Sequence, residues 1–511
     1  MRAGAELRSA VAHAMRRGNR LQPLTGLDSL FLHLETPETP MHVASLHLFD
    51  LPDDWTGDFH ASLRQQVARR LHLVPLFRRR LHALPLSIGN PVWVEDADVD
   101  LDCHIRRVRL PRPGTQAQLE ACAARIHSTL MDRRRPLWEA HVILGLKTGQ
   151  VGLYMRVHHA VLDGAAGMAL AGALLDPTPE PRKVPRPPRG GPAEVDPPGI
   201  AELARAALTH DVTQYSRLLR QLPDLLGLLT GTGRHARDPA AGPARRSRAF
   251  GPRTPLNVSI TGERRFAAAS VPLDEVKHVA RAHDAKLNDV VLAICSGALR
   301  SHLSRHGGIP REPLVAGMPF SLRAAGNTDY STQATMTLVN LATDIADPVQ
   351  RLHAIRDAAG AIKLAAGRAK SVIPTDTPSL GAPWLVGGLA ALYGRSRLAD
   401  RLPPLMNVVI SNVPGPAAPL HAAGARMRTY WPLSIVEHGM GLNITVVSYC
   451  GALDFGLVAA RCAVPDLHPL ARAIEAAHAE LLALSVRQDE RAVPRRGRVS
   501  HPPREPGRAS R

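Results

Sequence analysis

The sequence predicts an α+β protein made of two mixed layers that face each other across a cleft. Three observations lead there. Strand-like alternation and helix-like spacing recur in both halves of the chain rather than at one end. A proline-rich stretch, DPTPEPRKVPRPPRGGPAEVDPPG from Asp176 to Gly199, interrupts the pattern; it suits neither sheet nor helix, because proline has no amide donor and a fixed φ. A chain of 511 residues is also long for one domain and ample for two cores.

Residues 1–23 read as a loose, flexible extension, and the first folded half as 24–175. From Leu24, LTGLDSLFLHLETPETPMHVASLHLFD gives a short helix from Asp28, a turn at Pro37 to Pro40 and an alternating strand from His42 to Phe49. Phe59, Leu63, Val67 and Leu71 keep helical spacing across 57–73. A strand at Trp93 and an extended patch from His104 to Leu110 follow, then a helix over 116–131 that ends at Arg133-Arg134-Arg135. Pro136-Leu137-Trp138-Glu139 leads into the strand HVILGL. The Lys147-Thr148-Gly149 turn carries that strand back into a second one, forming a hairpin.

Residues 176–256 read as a crossover. Its apolar stretch from Leu203 to Leu229 has helical character and either docks on the protein or lies on a membrane surface. The second half, 257–485, opens with the strand RRFAAASVPL and two helices that break around Ala285 to Asp289, with Asn288 or Asp289 as the cap. PLVAGMPFSLR and MNVVISNVPGP add strands, and GLNITVVSYCGALDFGLVAA a hairpin turning at Cys450 to Leu453. A last helix spans Pro465 to Leu484, and 486–511 has the composition of a disordered basic tail.

The net charge of +18 resembles a nucleic-acid signal until it is located. Residues 1–20, 231–256 and 486–511 carry +4, +5 and +5, which leaves the folded core only mildly basic. Aromatic residues are scarce, so no stacking surface for nucleic acid is visible. Five cysteines, at 103, 122, 295, 450 and 462, show no paired spacing, which argues against a disulfide framework or a zinc site. No run approaches the roughly 20 apolar residues of a membrane span, and the N-terminus has no apolar signal core. These features predict an intracellular protein, soluble or peripherally attached through basic segments that attract anionic lipid.

The chemistry concentrates in QVGLYMRVHHAVLDGAAGM, Gln150 to Met168. Val151, Leu153, Met155 and Val157 alternate as on a strand, which then delivers His158 and His159 to its end. Asp163, four residues beyond His159, is placed to cap the following helix or to pair with a distant arginine. Adjacent histidines after a strand point to opposite faces and make a poor pair of metal ligands, so no metal is expected; a general base is the better reading.

Together with Pro40-Met41-His42-Val43, Pro136-Leu137-Trp138-Glu139, Asn288-Asp289-Val290-Val291, PFSLR (319–323), SNVPGP (411–416) and GLNITVVSY (441–449), the HHAVLDG segment (158–164) resembles the bacterial wax ester synthase/diacylglycerol acyltransferases over about residues 24–485. The HHxxxDG pattern alone is shared with chloramphenicol acetyltransferase-like enzymes, carnitine acyltransferases and peptide condensation domains. The other motifs in this order narrow it. Departures are the N-terminal extension, the basic tail, and Met-Pro-Phe at 318–320 where the family often has Val-Pro-Val.

The resemblance implies two chloramphenicol acetyltransferase-like α/β sandwich domains with an active-site tunnel between them. It implies transfer of a long fatty acyl group from acyl-CoA to diacylglycerol or a long-chain alcohol, with acyl-CoA as co-substrate and no other cofactor. An alcohol attacks a thioester poorly unless a base removes its proton, and an imidazole with pKa near 6.5 is suited to that task. His159 is the expected base and His158 an orienting residue. Asp163 is expected to be structural, with Arg323 as its candidate partner. Gly164 would let the backbone approach closely.

Trp138, Asn288 and Asp289 are candidate substrate contacts, set against plainer roles as a packing anchor and a helix cap. No G-x-S-x-G pattern surrounds a serine, so no acyl-enzyme is expected. The expected partners are these lipids and the inner face of the plasma membrane or a lipid inclusion, with no nucleic acid and with oligomers left open. Two alternatives stand beside this reading: an acyltransferase using a carrier-bound donor, and a lipid-surface binding protein that has lost catalysis.

Overall fold

The computed structural model describes residues 22–24, 26–82, 90–96, 98–161, 164–185, 251–321, 334–369 and 382–492. Asp163, Arg323, the apolar stretch from Leu203 to Leu229 and residues 493–511 lie outside them.

The first half begins β1 (Gln22–Pro23), α1 (Gly26–Leu34), β2 (His42–Asp50), α2 (Phe59–Arg70), β3 (Arg79–His82) and β4 (Val92–Glu95). It continues α3 (Leu101–His104), β5 (Ile105–Arg109), α4 (Gln116–His127), β6 (Trp138–Leu144), β7 (Val151–His158) and α5 (Gly164–Leu174). In the second half come β8 (Arg264–Pro272), α6 (Leu273–Ala282), α7 (Leu287–Arg305), β9 (Val315–Ser321), β10 (Ala334–Asn340), α8 (Pro348–Ala369) and α9 (Ala382–Arg395). The strands β11 (Val408–Val413), β12 (His421–Ala422), β13 (Ala425–Met427), β14 (Trp431–Leu433), β15 (Leu442–Tyr449) and β16 (Ala452–Ala460) precede α10 (His468–Ala492).

Two mixed sheets carry the molecule. One runs β12-β13-β2-β7-β6-β5, with β14 also on β2, and the other β10-β9-β11-β15-β16-β8. The expected α/β halves are therefore present, and both anticipated hairpins form: β6 pairs antiparallel with β7, and β15 with β16. The second hairpin closes on Cys450 and Gly451, both at positive φ (46° and 86°), the geometry of a two-residue primed turn.

Chain order and spatial membership differ at one place. Residues 421–433, inside the span assigned to the second half, leave it and extend the first sheet: Met427 faces Phe49, and Leu433 faces Ala44. Gly456 on β16 makes this crossing possible, because a Cβ there would overlap the carbonyl oxygen of Pro432. The halves are also joined through α4, where the buried Glu120 accepts from the Ala268 amide at 3.3 Å and faces His468 Nε2 at 2.9 Å.

Three boundaries move. Gln22 and Pro23, placed in the loose extension, pair with Trp93 and Val92. The last helix continues to Ala492, past the start assigned to the tail. It is held there by Gln488 donating to the Ala282 carbonyl, and Asp489 lies 3.5 Å from His278 Nε2. The α7 cap falls at Lys286 rather than Asn288 or Asp289.

Candidate active site

The strand β7 ends at His158, and the turn beyond it starts with His159. The pair is strapped on both sides. The His158 amide donates to Leu137 O (3.0 Å) and the His159 amide to Met41 O (2.8 Å). Both acceptors belong to motifs noted in the sequence, Pro136-Leu137-Trp138-Glu139 and Pro40-Met41-His42-Val43.

The two rings then part, as adjacent residues at a strand end should. His158 is fully buried. Its Nδ1 accepts from the Ala160 amide at 3.1 Å, which places the ring proton on Nε2, 3.3 Å from Glu35 Oε1. Nδ1 is thereby hydrogen-bonded, and Nε2 faces the Glu35 carboxylate. His159 is half-buried, its ring stacked on Phe31 of α1 with centroids 4.0 Å apart.

Glu35, just past α1, is the residue the sequence reading missed. Its carboxylate also accepts from the Met41 amide (3.1 Å) and from Arg133 Nη2 (2.6 Å). Burial alone would raise its pKa, but the adjoining His158 ring, Arg133 and the Met41 amide together lower it to about 2. The signal that could have found it is the pairing of β2 with β7. That register puts His42 opposite His158, so the chain just ahead of His42 meets the chain just after His158.

Behind the pair stands a group of buried, neutral imidazoles. His42 Nε2 donates to His127 O at 3.0 Å, and burial, with repulsion from neighbouring cationic groups, holds its pKa well below 6.5. His127 Nε2 donates to Ser434 O (3.1 Å) across to the second half, while its Nδ1 accepts from the Tyr154 hydroxyl (2.8 Å). Burial lowers His127 to about 3, only partly offset by the Ser434 bond. On the neighbouring strand pair, Arg156 grips Glu139 (2.8 Å) and the carbonyls of Ile126 and Thr129.

The other expected site residues are more dispersed. Trp138 is buried between Phe77 and His104, stacked at 4.2 and 4.4 Å, and its Nε1 donates to Phe77 O (3.1 Å). Stacked on two rings, it has the contacts of a packing anchor. Asp289 closes the α7 cap, accepting from the Lys286 amide at 2.9 Å. Asn288 Nδ2 lies 3.3 Å from Met318 Sδ, beside the Met-Pro-Phe departure. Gly164 opens α5. In SNVPGP the Gly415 amide donates to Ser448 Oγ (3.0 Å), and a Cβ there would overlap the Ser448 carbonyl.

A pocket of about 440 Å³ lined by Asp50, Arg426 and Arg428 lies at the far end of β2, roughly 27 Å of strand from His42. The reactive groups are therefore located by their side-chain geometry, not by that pocket. Among the described residues no cluster of three or more His, Cys, Asp or Glu could hold a metal, and no helix is long and apolar enough to cross a membrane.

Comparison with known proteins shows the family of the chain. Residues 24–291 match the wax ester synthase/diacylglycerol acyltransferase catalytic domain, and 331–482 the C-terminal domain of the same family. The chain is 38% identical over 467 residues to a Mycobacterium tuberculosis protein provisionally named a diacylglycerol O-acyltransferase, covering 90% of this chain and 99% of the other. It is 35% identical to the O-acyltransferase WSD of Acinetobacter baylyi, covering 89% and 96%. The wax ester synthase/diacylglycerol acyltransferase structure from Marinobacter aquaeolei VT8 superposes with a TM-score of 0.65 at 32% identity, over 91% of this chain and 100% of that one. A starter condensation domain of rhizomide synthetase, at 14% identity and TM-score 0.51 over 93% and 96%, shares the fold alone.

Proposed function

The chain belongs to the wax ester synthase/diacylglycerol acyltransferase family, and from this we propose that it transfers a long-chain acyl group from acyl-CoA to diacylglycerol or to a long-chain alcohol. His159 is the general base. Its imidazole takes the acceptor's hydroxyl proton as the oxygen attacks the thioester carbonyl. The C–S bond then breaks and the proton passes to the departing CoA thiolate, giving an ester and free CoA. No acyl-enzyme and no cofactor besides acyl-CoA is required. A base of this kind contributes roughly 10²–10⁴ in rate.

The observation that carries the reading is the division of labour within the pair. His158 is sealed, with Nδ1 hydrogen-bonded and Nε2 against the Glu35 carboxylate, whereas His159 is half-buried at the strand end, held by its backbone and by Phe31. Asp163 and Arg323 complete the proposal as a structural pair that shapes the turn after the base. Reaction in a tunnel between the halves, and peripheral attachment to a membrane or lipid inclusion, follow from substrates that dissolve in lipid.

The test is to incubate purified protein with radiolabelled palmitoyl-CoA and either diolein or hexadecanol and to resolve the neutral lipids. Wild type should yield triacylglycerol or wax ester, and His159→Ala a level lower by roughly 10²–10⁴. Equal product from both would remove His159 from the chemistry.

A further inference from the structure

We propose that α9 and the loop after it, Leu389 to Leu405, form the surface by which this protein docks on an anionic phospholipid bilayer. The inference rests on the reading that its substrates are drawn from lipid. A helix on a globular surface turns a polar side to water. α9 does not: APWLVGGLAALYGR has one charged residue, Arg395. The exposed positions Gly388, Leu389, Leu392 and Arg395 fall on one helical face. Leu389 and Leu392 are 57% and 59% exposed, and Leu402 and Leu405, just downstream, 50% and 51%. Among the described residues seven large apolar side chains stand exposed, and four of them lie in this one stretch.

Arginines are interleaved with these leucines. Arg395, Arg397 and Arg401 are exposed, and the carboxylate of Asp400 pairs with Arg397. A contact with a second copy of the chain would bring like charges together in the centre of an interface, where charged residues are normally depleted. A bilayer with anionic headgroups accepts both components: the leucines enter the acyl boundary and the guanidinium groups meet phosphate.

The position suits delivery of lipid to the reaction. α9 packs on α1, with Gly387 against the His33 carbonyl, and α1 carries Phe31, on which His159 is stacked. One helix separates the proposed membrane face from the base.

The experiment is flotation of the full chain with vesicles of phosphatidylcholine alone or mixed with phosphatidylglycerol. It compares wild type with Leu389→Ser/Leu392→Ser and with Arg395→Glu/Arg401→Glu. Melting temperature and acyl transfer to a water-soluble short-chain alcohol are measured alongside. Wild type should favour the anionic vesicles, and each variant should bind them at least about tenfold less with an unchanged melting temperature and unchanged transfer to the soluble alcohol. Binding at the wild-type level by both variants overturns the proposal. So does retained vesicle binding accompanied by a shift from dimer to monomer in sedimentation, which would assign the face to a second copy. If vesicle binding falls in the variants but wild type transfers no acyl group, the docking surface stands and the catalytic reading fails.

Discussion

The two central hairpins are of similar length and sit in the middle of their sheets, yet they are built from different materials. The β15–β16 hairpin buries Leu442, Ile444, Val446, Leu453, Phe455, Leu457 and Val458 beside the uncharged Asn443 and Thr445, and Asp454 is its single buried carboxylate or base. The β6–β7 hairpin buries Glu139, His141, Arg156 and His158 among its apolar residues. Apolar packing is non-directional and stabilises in proportion to area. Buried ion pairs and hydrogen bonds add little net stability but impose one orientation. On the proposed mechanism, the hairpin that aims an imidazole is the polar one, and its more apolar counterpart serves as ballast for the second half.

That difference can be broken most severely at Arg156. Arg156→Met would take from the buried Glu139 its nearest cation, with Arg106 left at 3.9 Å, and remove the guanidinium that donates to the Thr129 carbonyl. The expected loss is about 3–5 kcal/mol, read as a lower denaturant midpoint. In the other hairpin, Leu457→Ala should cost about 2–5 kcal/mol by leaving a cavity; that loss should be the same at pH 7 and pH 5, because no titrating group is touched.

Acid should sharpen the contrast next. Burial holds His127, bonded to β7 through Tyr154, at about 3, and His47 on β2 at about 4. The unfolded chain binds protons at these residues below pH 6.5 while the folded chain does not, so their stabilising contribution is complete above 6.5 and is lost as pH falls toward 4 and 3. Each should remove about 2 kcal/mol between pH 6.5 and 5, measurable from urea midpoints, and His47→Asn should flatten the slope. Asp454 has the opposite sign, since burial raises its pKa and acid relieves the penalty rather than adding one. The smallest effect is expected from Glu35→Gln, which keeps the size of the side chain facing His158 and removes its charge. Turnover should fall by roughly tenfold, about 1.4 kcal/mol, with KM for acyl-CoA little changed; an unaltered kcat would make Glu35 merely structural.

The sequence made the hairpins legible because alternation reports directly which side chains share a face, and the His-His step marks where a strand stops. It did not reveal which sheet a segment joins. Residues 421–433 enter the first sheet as strands of two and three residues, too short for alternation to register, and the crossing depends on Gly456, about thirty residues downstream. Glu35 escaped notice for a related reason. It is an isolated carboxylate in a turn until the β2–β7 register carries it to His158. Asp289 and Trp138 showed the converse: residues of a recognisable motif whose observed contacts are a helix cap and a stacked core.

The central claim is that one histidine of the pair reacts while the other holds position, and the pH dependence of kcat/KM tests it most directly. Wild type and His158→Asn, an amide that preserves a polar contact toward Glu35, should both lose activity as a single group protonates below neutrality, the variant with a lower plateau. His159→Ala should show a residual rate roughly 10²–10⁴ lower and without that acid limb. An acid limb that survives in His159→Ala and disappears in His158→Asn would contradict the account.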